Sequence, residues 1–348
     1  MKRLRSLFLV MAALFLLTSP ARAEEEKVLN IYNWSEYIPQ AVLDQFTAET
    51  GIKIVYSTYE SNEAMYAKLK LLKGEGYDIV VPSTYFISQL KNDNLLQPID
   101  KSKISNFNLL MPRLVNQPFD PNNEYTVPYM WGSTGLIINR KYVDPTMVKG
   151  WKDLLRPEFK GRVLISDDLR DGLGIGLKAK GYSINTRNEN ELKEAYEFLL
   201  QLKDSVRVFD ITSTKQNFVN EEVYVGAIWN GDAYVAWEEN ENLKFIYPEE
   251  GAMIWIDSFA IPVKATHPEN AHKFINFMLR PEVSAAVVEE FRYSPASQAV
   301  LDLLPAEMRD NRTIAPTDAD LKNSEMTMEL GDALQLYEKY WEKFKTEQ

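Results

Sequence analysis

Residues 28–58, VLNIYNWSEYIPQAVLDQFTAETGIKIVYST, decide the fold class because they form one strand–helix–strand pattern. Residues 28–32 have the apolar character of a strand. Apolar Val42, Leu43 and Phe46 then recur at helical spacing, and Gly51 marks the end of the helix. Residues 52–58 predict a second strand. This order of elements is typical of an α/β fold.

The same alternation continues towards the C-terminus. Ser61 can cap a helix over residues 61–73, and Pro82 ends a buried strand over residues 77–81. Further strands are predicted over 162–166, 206–209 and 223–229, and further helices over 189–202, 268–279, 281–291 and 331–345. We therefore expect an α/β sandwich with mostly parallel strands, arranged in two sheets rather than one.

The length of the chain predicts about two domains. It has 348 residues and shows no internal repeat, low-complexity tract or Gly/Ser-rich linker. Two lobes without such a linker must be joined through ordered chain. The long extended segments 131–140 and 252–262 are therefore the predicted hinges.

The N-terminus predicts export. Lys2, Arg3 and Arg5 precede an apolar run over residues 7–17, and the small residues of 21–23 suit a cleavage site. We interpret residues 1–23 as a signal peptide and expect a soluble protein in a bacterial periplasm. The chain contains no cysteine, which excludes a disulfide framework, a lipid-attachment thiol and thiolate catalysis.

The net charge argues against nucleic acid as a partner. It is −11 for the full chain and falls to −15 without residues 1–23, which carry four basic residues and no acidic one. Such a field repels nucleic acid and attracts cations. A solvated acidic surface explains the same charge without any ligand.

Several common chemistries are excluded. The only histidines, His267 and His272, are five residues apart and do not share a helix face, so we expect neither a metal site nor a catalytic dyad. The glycines of residues 172–176 match neither the dinucleotide fingerprint nor a P-loop, and no G-x-S-x-G elbow occurs. We expect no cofactor and no metal.

Three segments each place tryptophan close to a carboxylate: residues 32–37 (YNWSEY), 228–232 (IWNGD) and 254–258 (IWIDS). Indole faces attract ammonium groups and cover methylenes, and carboxylates accept hydrogen bonds from ammonium groups. This combination indicates a site for a long organic cation.

Candidate polar residues also follow predicted strands. Ser83 and Tyr85 follow the strand over 77–81, Asp168 and Asp171 follow that over 162–166, and Trp229 ends that over 223–229. Residues just beyond the carboxyl ends of parallel strands line the ligand crevice of α/β proteins. Their presence in both halves of the chain predicts a cleft between two lobes.

Structural roles are the alternative for each residue taken singly. Trp34, Trp229 and Trp255 suit a hydrophobic core, and Asp168 and Asp171 suit a helix cap and a first-turn acid. Tyrosine hydroxyls can bond to backbone, and a buried arginine can neutralise a carboxylate.

Longer segments carry a family resemblance: residues 32–37, 56–63 (YSTYESNE), 81–85 (VPSTY), 97–103 (QPIDKSK), 118–123 (PFDPNN), 228–231 (IWNG) and 256–258 (IDS). Together they resemble the periplasmic spermidine/putrescine-binding proteins of bacterial ABC-type polyamine importers, over essentially the whole mature chain. The resemblance implies a two-lobed periplasmic binding-protein fold of a type II-like kind. We expect lobe 1 to comprise residues 24–133 and 257–301, and lobe 2 residues 134–256 and 302–348.

The resemblance also implies which residues line the site. The matching aromatic residues are Trp34, Tyr37, Tyr85, Trp229, Trp255 and Tyr293. The matching carboxylates are Glu36, Asp168 and Asp257, and the matching hydroxyls are Ser83 and Ser35, the latter where the family often has threonine.

Two further ligand-binding positions depart from the family pattern. Asp171 stands where the family typically has glutamate, and Thr327 where it has a glutamine that helps to bind a terminal amine. Both changes affect one end of the ligand. The preference between diamine and triamine therefore stays open.

The predicted protein is a non-enzymatic, monomeric receptor that captures putrescine or spermidine and presents it to an inner-membrane permease. Paired acids with tryptophan platforms also suit a periplasmic glycosidase. A second alternative is the same fold with a different small solute. The site acids favour a polycation provided that Arg170 points away from the cleft.

Overall fold

The computed structural model describes residues 25–346. The predicted signal peptide, residues 1–23, lies outside the described residues. Within the described part no helix is both long and apolar enough to cross a bilayer.

Twelve strands are present among these residues. They are β1 Val28–Trp34, β2 Lys53–Tyr59, β3 Ile79–Val80, β4 Leu96–Gln97, β5 Thr126–Asn139, β6 Val163–Ile165, β7 Val206–Phe209, β8 Val225–Trp229, β9 Leu243–Ile246, β10 Met253–Pro262, β11 Ser294–Pro295 and β12 Glu325–Met326.

The α-helices of the described chain are α1 Gln40–Thr50, α2 Asn62–Leu71, α3 Thr84–Asn92, α4 Leu169–Lys180, α5 Glu189–Leu202, α6 Thr214–Val219, α7 Asn230–Glu239, α8 Pro268–Met278, α9 Pro281–Phe291, α10 Gln298–Leu303, α11 Ala306–Arg309 and α12 Leu334–Thr346. Short 3-10 turns occupy Lys101–Lys103, Ser105–Leu109, Pro121–Asn123, Trp151–Leu155, Pro157–Phe159, Lys203–Ser205 and Gly331–Ala333.

The first strand–helix–strand unit has the predicted form. The side chains of Val42, Leu43 and Phe46 are buried on one face of α1, which ends at Gly51. Gly51 takes a left-handed conformation with φ 70°, and its amide donates to the carbonyl of Thr47 at 2.8 Å. Strands β1 and β2 are parallel. The prediction of an α/β fold is confirmed.

The strands form one continuous sheet in the order β2-β1-β3-β10-β5-β8-β6-β7, so the expectation of two separate sheets is wrong. Parallel pairs occur in each half, where β1 pairs with β2 and β3, and β6 with β7 and β8. All pairs of β5 and most pairs of β10 are antiparallel, so the expectation of mostly parallel strands is wrong. The halves are joined because the long strands β5 and β10 pair antiparallel with each other and belong to both. These strands coincide with the two predicted extended connections.

Two large hydrophobic cores lie at the two ends of these long strands. Val127 and Tyr129 of β5 pack in the first core, whereas Leu136 and Ile138 of the same strand pack in the second. The first core also includes Leu304, Met308 and Ile314. The lobe boundaries stay a proposal, and this packing favours placing residues 302–314 with lobe 1.

The glycines of residues 172–176 lie inside α4 and do not form a loop. Both histidines have structural contacts. His267 Nδ1 lies 3.0 Å from Asp78 Oδ2, and His272 Nε2 accepts a bond from the Asp100 amide at 2.9 Å. Among residues 25–346 no group of acidic or histidine side chains has the geometry to hold a metal ion.

Candidate functional site

A cavity of about 1020 Å³ lies between the two halves of the chain, where β1, β3, β6 and β8 end. All thirteen predicted site residues line it: Trp34, Ser35, Glu36, Tyr37, Ser83, Tyr85, Asp168, Asp171, Trp229, Trp255, Asp257, Tyr293 and Thr327. The fold thus brings together residues that are up to 293 positions apart in the chain. Their contact with a ligand stays a prediction.

Asp257 is the most buried carboxylate in the cavity wall, with 4% of its surface exposed. It lies on β10, where the pairing with β5 shifts in register between Asp257 and Ser258. Ser83, three residues after the end of β3, forms an isolated β-bridge with Asp257. The Ser83 hydroxyl donates to Oδ1 at 2.5 Å, and the Tyr37 hydroxyl donates to Oδ2. Burial raises the pKa of Asp257 to about 6, against the opposing effect of these two hydrogen bonds. The carboxylate is held in a fixed orientation in a site that favours a cationic partner.

Asp168 lies at the N-cap of α4, and Asp171 lies in its first turn. Asp168 caps the helix and accepts bonds from the amides of Arg170 and Asp171 at 2.8 and 2.9 Å. The capping role considered from the sequence is therefore correct, and the same side chain also borders the cavity. A helix N-terminus attracts negative charge, so capping and ligand contact are compatible.

Asp171 is fixed by two donors from neighbouring strands. The Trp229 indole donates to Oδ2 at 2.9 Å, and the Thr134 hydroxyl lies 2.9 Å from the same oxygen. Burial, and secondarily the charge of Asp168, raise the pKa of Asp171 to about 7. The two acids make this part of the cavity electronegative. A bound cation would favour the ionised form of both carboxyl groups.

Arg170 lies between these acids in sequence, but its guanidinium is bonded elsewhere. It donates to the carbonyls of Met328 and Ile184 at 2.9 and 3.2 Å and to Asn185 Oδ1 at 2.8 Å. It also lies over the rings of Tyr85 and Tyr337, at 5.0 and 5.4 Å. Its guanidinium is thus held by packing and hydrogen bonds, but Arg170 still lines the cavity and its charge lowers the pKa of Asp168 and of Asp171 against the effect of burial, so the condition set from the sequence is not met.

Aromatic rings cover the space between the acids. The Trp34 indole donates to the carbonyl of Val81 at 2.9 Å, which fixes its ring at the end of β1. The rings of Trp255 and Tyr293 pack edge to face at 5.3 Å, and those of Tyr37 and Tyr293 at 5.8 Å. These walls offer apolar ring faces to a hydrocarbon chain and negative π-density to a cation.

Two glycines make room for these rings. A Cβ at Gly132 would lie 2.4 Å from the Trp255 ring, and one at Gly231 would lie 2.5 Å from the Tyr293 ring. The rings therefore lie directly against the backbone of β5 and α7. Any side chain at either position would displace a wall of the cavity.

Two predicted hydroxyls are already bonded to protein groups. The Thr327 hydroxyl lies 2.9 Å from that of Thr84 and 3.3 Å from the Ile254 carbonyl. The Ser35 hydroxyl donates to Glu60 at 2.5 Å. Either would have to share its hydrogen bonds with a ligand.

Sequence reasoning missed several charged residues of the cavity lining, among them Asp232 and Lys215. Asp232 lines the cavity and interacts with Tyr293, and burial raises its pKa to about 6. The sequence does contain a signal for Asp232, because this residue stands three positions after Trp229 in the tryptophan–carboxylate segment 228–232. Lys215 also lines the cavity, and its Nζ lies 3.1 Å from Glu36 Oε2. No motif marks Lys215, since its position depends on how α6 packs beside α7.

Comparisons with known proteins identify the family. Residues 41–316 match the family described as bacterial extracellular solute-binding protein. The chain is 43% identical to the spermidine/putrescine-binding periplasmic protein of Escherichia coli, over 99% of each chain. It is 34% identical to the putrescine-binding periplasmic protein of Pseudomonas aeruginosa, with 92% of each chain covered.

A solved structure agrees with these matches. The substrate-binding protein of a spermidine/putrescine ABC transporter from Streptococcus pneumoniae is 35% identical, with a TM-score of 0.82 that covers 92% of this chain and 99% of that one. The resemblance seen in the short segments and the expected binding-protein fold are both confirmed. The chain therefore belongs to the bacterial extracellular solute-binding proteins.

Proposed function

We propose that this protein binds a polyamine, putrescine or spermidine, in the cavity between its lobes and presents it to an inner-membrane ABC permease. The observation that carries the proposal is the buried carboxylate of Asp257. No Lys, Arg or His among residues 25–346 forms an ion pair with it. Burial of a charge without a counter-ion costs several kcal/mol, on the order of 3–5 when a partner is removed. A ligand ammonium group would offset that cost.

The remaining wall suits the rest of a polyamine. Such a ligand offers only ammonium groups and methylenes, so its affinity must come from charge-assisted hydrogen bonds and apolar coverage. Asp168 and Asp171 supply acceptors away from Asp257, and the rings of Trp229, Trp255 and Tyr293 line the space. Each cation–π contact adds about 0.5–2 kcal/mol, which is less than the cost of an unpaired buried charge. The acids should therefore dominate affinity.

Titration calorimetry of two variants tests the site. Asp257→Asn should weaken polyamine binding by roughly a hundredfold, because it removes the charge and keeps the shape. Trp255→Ala should weaken it by about tenfold through lost ring contacts. The exposed Asp302→Asn serves as a control that also removes one acidic charge. Wild-type affinity in both site variants would refute this assignment, provided that their thermal unfolding shows a folded protein.

The relatives' names support the cellular setting. They describe periplasmic binding proteins and a substrate-binding protein of an ABC transporter. We propose cleavage after Ala23, release as a soluble monomer and docking on a permease. Intact mass of protein isolated from the periplasm, together with light scattering, tests cleavage and oligomeric state.

The glycosidase alternative loses its support, since the chain belongs to a family of binding proteins. Another small cation in the same cavity is the remaining rival. A competition titration against putrescine decides between them. Displacement of putrescine by a non-polyamine cation at lower concentration would favour that rival.

A further inference from the structure

Two basic side chains of the protein line the cavity. Its lining in the described chain includes the acidic residues Glu36, Glu60, Asp168, Asp171, Asp232, Asp257 and Glu290 and the basic residues Arg170 and Lys215. The guanidinium of Arg170 is bonded to Met328, Ile184 and Asn185, as described above. Its charge acts on Asp168 and Asp171, whereas Lys215 is the basic residue of this lining that contacts Glu36 and acts on Asp232.

The ion pair between Lys215 and Glu36 crosses the mouth of the cleft. Lys215 is the second residue of α6, in the half of the chain that holds the second core. Its Nζ lies 3.1 Å from Oε2 of Glu36, which follows β1 in the other half. The Lys215 side chain is 26% exposed, whereas that of Glu36 is 74% exposed. The pair thus closes the outer end of the cavity, with the lysine on the inner side.

Lys215 also acts on Asp232. Burial raises the pKa of the Asp232 carboxyl, the positive charge of Lys215 lowers it, and the charge of Glu36 raises it again. Glu36, Asp232 and Lys215 therefore form one charge cluster. Tyr293 connects this cluster to Asp257, because burial raises the pKa of its hydroxyl and the charges of Asp232, Asp257 and Glu36 all raise it further.

Three acidic positions of the cavity lining carry this inference. Asp168 and Asp171 lie together at the start of α4, Asp257 lies on β10, and Glu36 and Asp232 share the charge of Lys215. Each can receive one ammonium group of an extended polyamine. The third position already has an ammonium group in contact with Glu36. Within residues 25–346 neither Asp257 nor the Asp168–Asp171 pair forms an ion pair with a basic residue, although the charge of Arg170 acts on Asp168 and Asp171.

We propose that Lys215 is a specificity-determining residue whose ammonium group takes the place of a third ligand charge and so favours diamines over triamines. The inference rests on the proposed function and extends it to the choice between putrescine and spermidine. A spermidine molecule must either displace Lys215 from Glu36 or place its third ammonium group beside it. Putrescine fills the other two positions and meets neither penalty.

Calorimetric titration of putrescine and spermidine into wild type and Lys215→Met tests this. The methionine keeps the length and apolar stem of the lysine without its charge. The spermidine affinity should rise by about three- to tenfold in Lys215→Met, and the putrescine affinity should change by less than about twofold. Lys215→Arg keeps the charge and should keep the wild-type preference.

A matched control separates cavity charge from lobe closure. Arg292 and Glu238 form a second ion pair between the two halves, 2.9 Å apart, and neither lines the cavity. Glu238→Gln removes this pair and should change the affinities for both ligands by the same factor. Wild type should prefer putrescine, and the effect of Lys215→Met should shrink in high salt.

The outcomes are distinguishable. An unchanged ratio of the two affinities in Lys215→Met, or the same ratio change in Glu238→Gln, would overturn the role of Lys215 and leave polyamine binding intact. A wild type that binds neither ligand would overturn the proposed function and this inference together.

Discussion

The ionisation of single carboxyl groups determines how strongly protons compete with the ligand. In the ligand-free protein the pKa values of Asp257 and Asp171 are raised to about 6 and about 7, chiefly by burial. Below these values the carboxyls are neutral, and an ammonium ligand binds the ionised form. Binding near pH 6 must therefore release protons, and affinity must rise with pH until both groups are ionised.

We expect polyamine affinity to increase between about pH 5 and pH 7 and to level off above about pH 8. Calorimetry in two buffers of different ionisation enthalpy measures the proton release directly. The Asp171→Asn variant should release fewer protons near pH 6, whereas the exposed Asp302→Asn should match wild type. A pH-independent affinity would show that these carboxyls are already ionised without ligand.

Most of the site could be predicted at the residue scale because strand ends and tryptophan–carboxylate pairs are visible in sequence. Asp257 was found in this way, as were Asp168 and Asp171. Lys215 was not, since a lysine in a polar segment has no signature and its role depends on the packing of α6 across the cleft. The bonding of Thr327 to Thr84 likewise needs the tertiary structure.

At the scale of elements, the pairing of β5 with β10 positions both cores and the aromatic walls. Gly132 pairs with Trp255 across these strands, and the indole ring lies over the glycine. The sequence revealed both strands as extended connections but not their pairing. Antiparallel pairing between segments more than 100 residues apart leaves no periodic signal, so the sequence predicts two sheets where the structure has one.

Gly132→Ala should displace the Trp255 ring and lower both stability and affinity. An added methyl group in a packed site costs about 1–3 kcal/mol. Gly135→Ala is the matched control, because Gly135 lies on the same strand as Gly132. A Cβ at Gly135 would lie 2.5 Å from the ring of Phe245, which does not line the cavity. Both variants should unfold at lower denaturant concentration. Only Gly132→Ala should bind polyamine more weakly; equal affinities in the two variants would contradict the role of the Trp255 ring.

At the scale of the whole molecule, two of the ion pairs that cross the cleft are partly exposed. Lys215 with Glu36 and Arg292 with Glu238 are ion pairs that keep part of their surface in solvent. Exposed ion pairs contribute about 0–1 kcal/mol each. These two pairs therefore contribute little to closure, and a ligand that touches both lobes only in the closed form must shift the population towards it.

Small-angle scattering measures this shift. Putrescine should reduce the radius of gyration of wild type, since contacts from Asp257 in one lobe and Asp171 in the other are made together only when the lobes are shut. Asp257→Asn at the same putrescine concentration should keep the larger radius, because too little ligand is bound to draw the lobes together. A profile that putrescine leaves unchanged in wild type, at concentrations where calorimetry shows saturation, would mean that the cavity is preformed and that β5 and β10 hold the lobes rigidly.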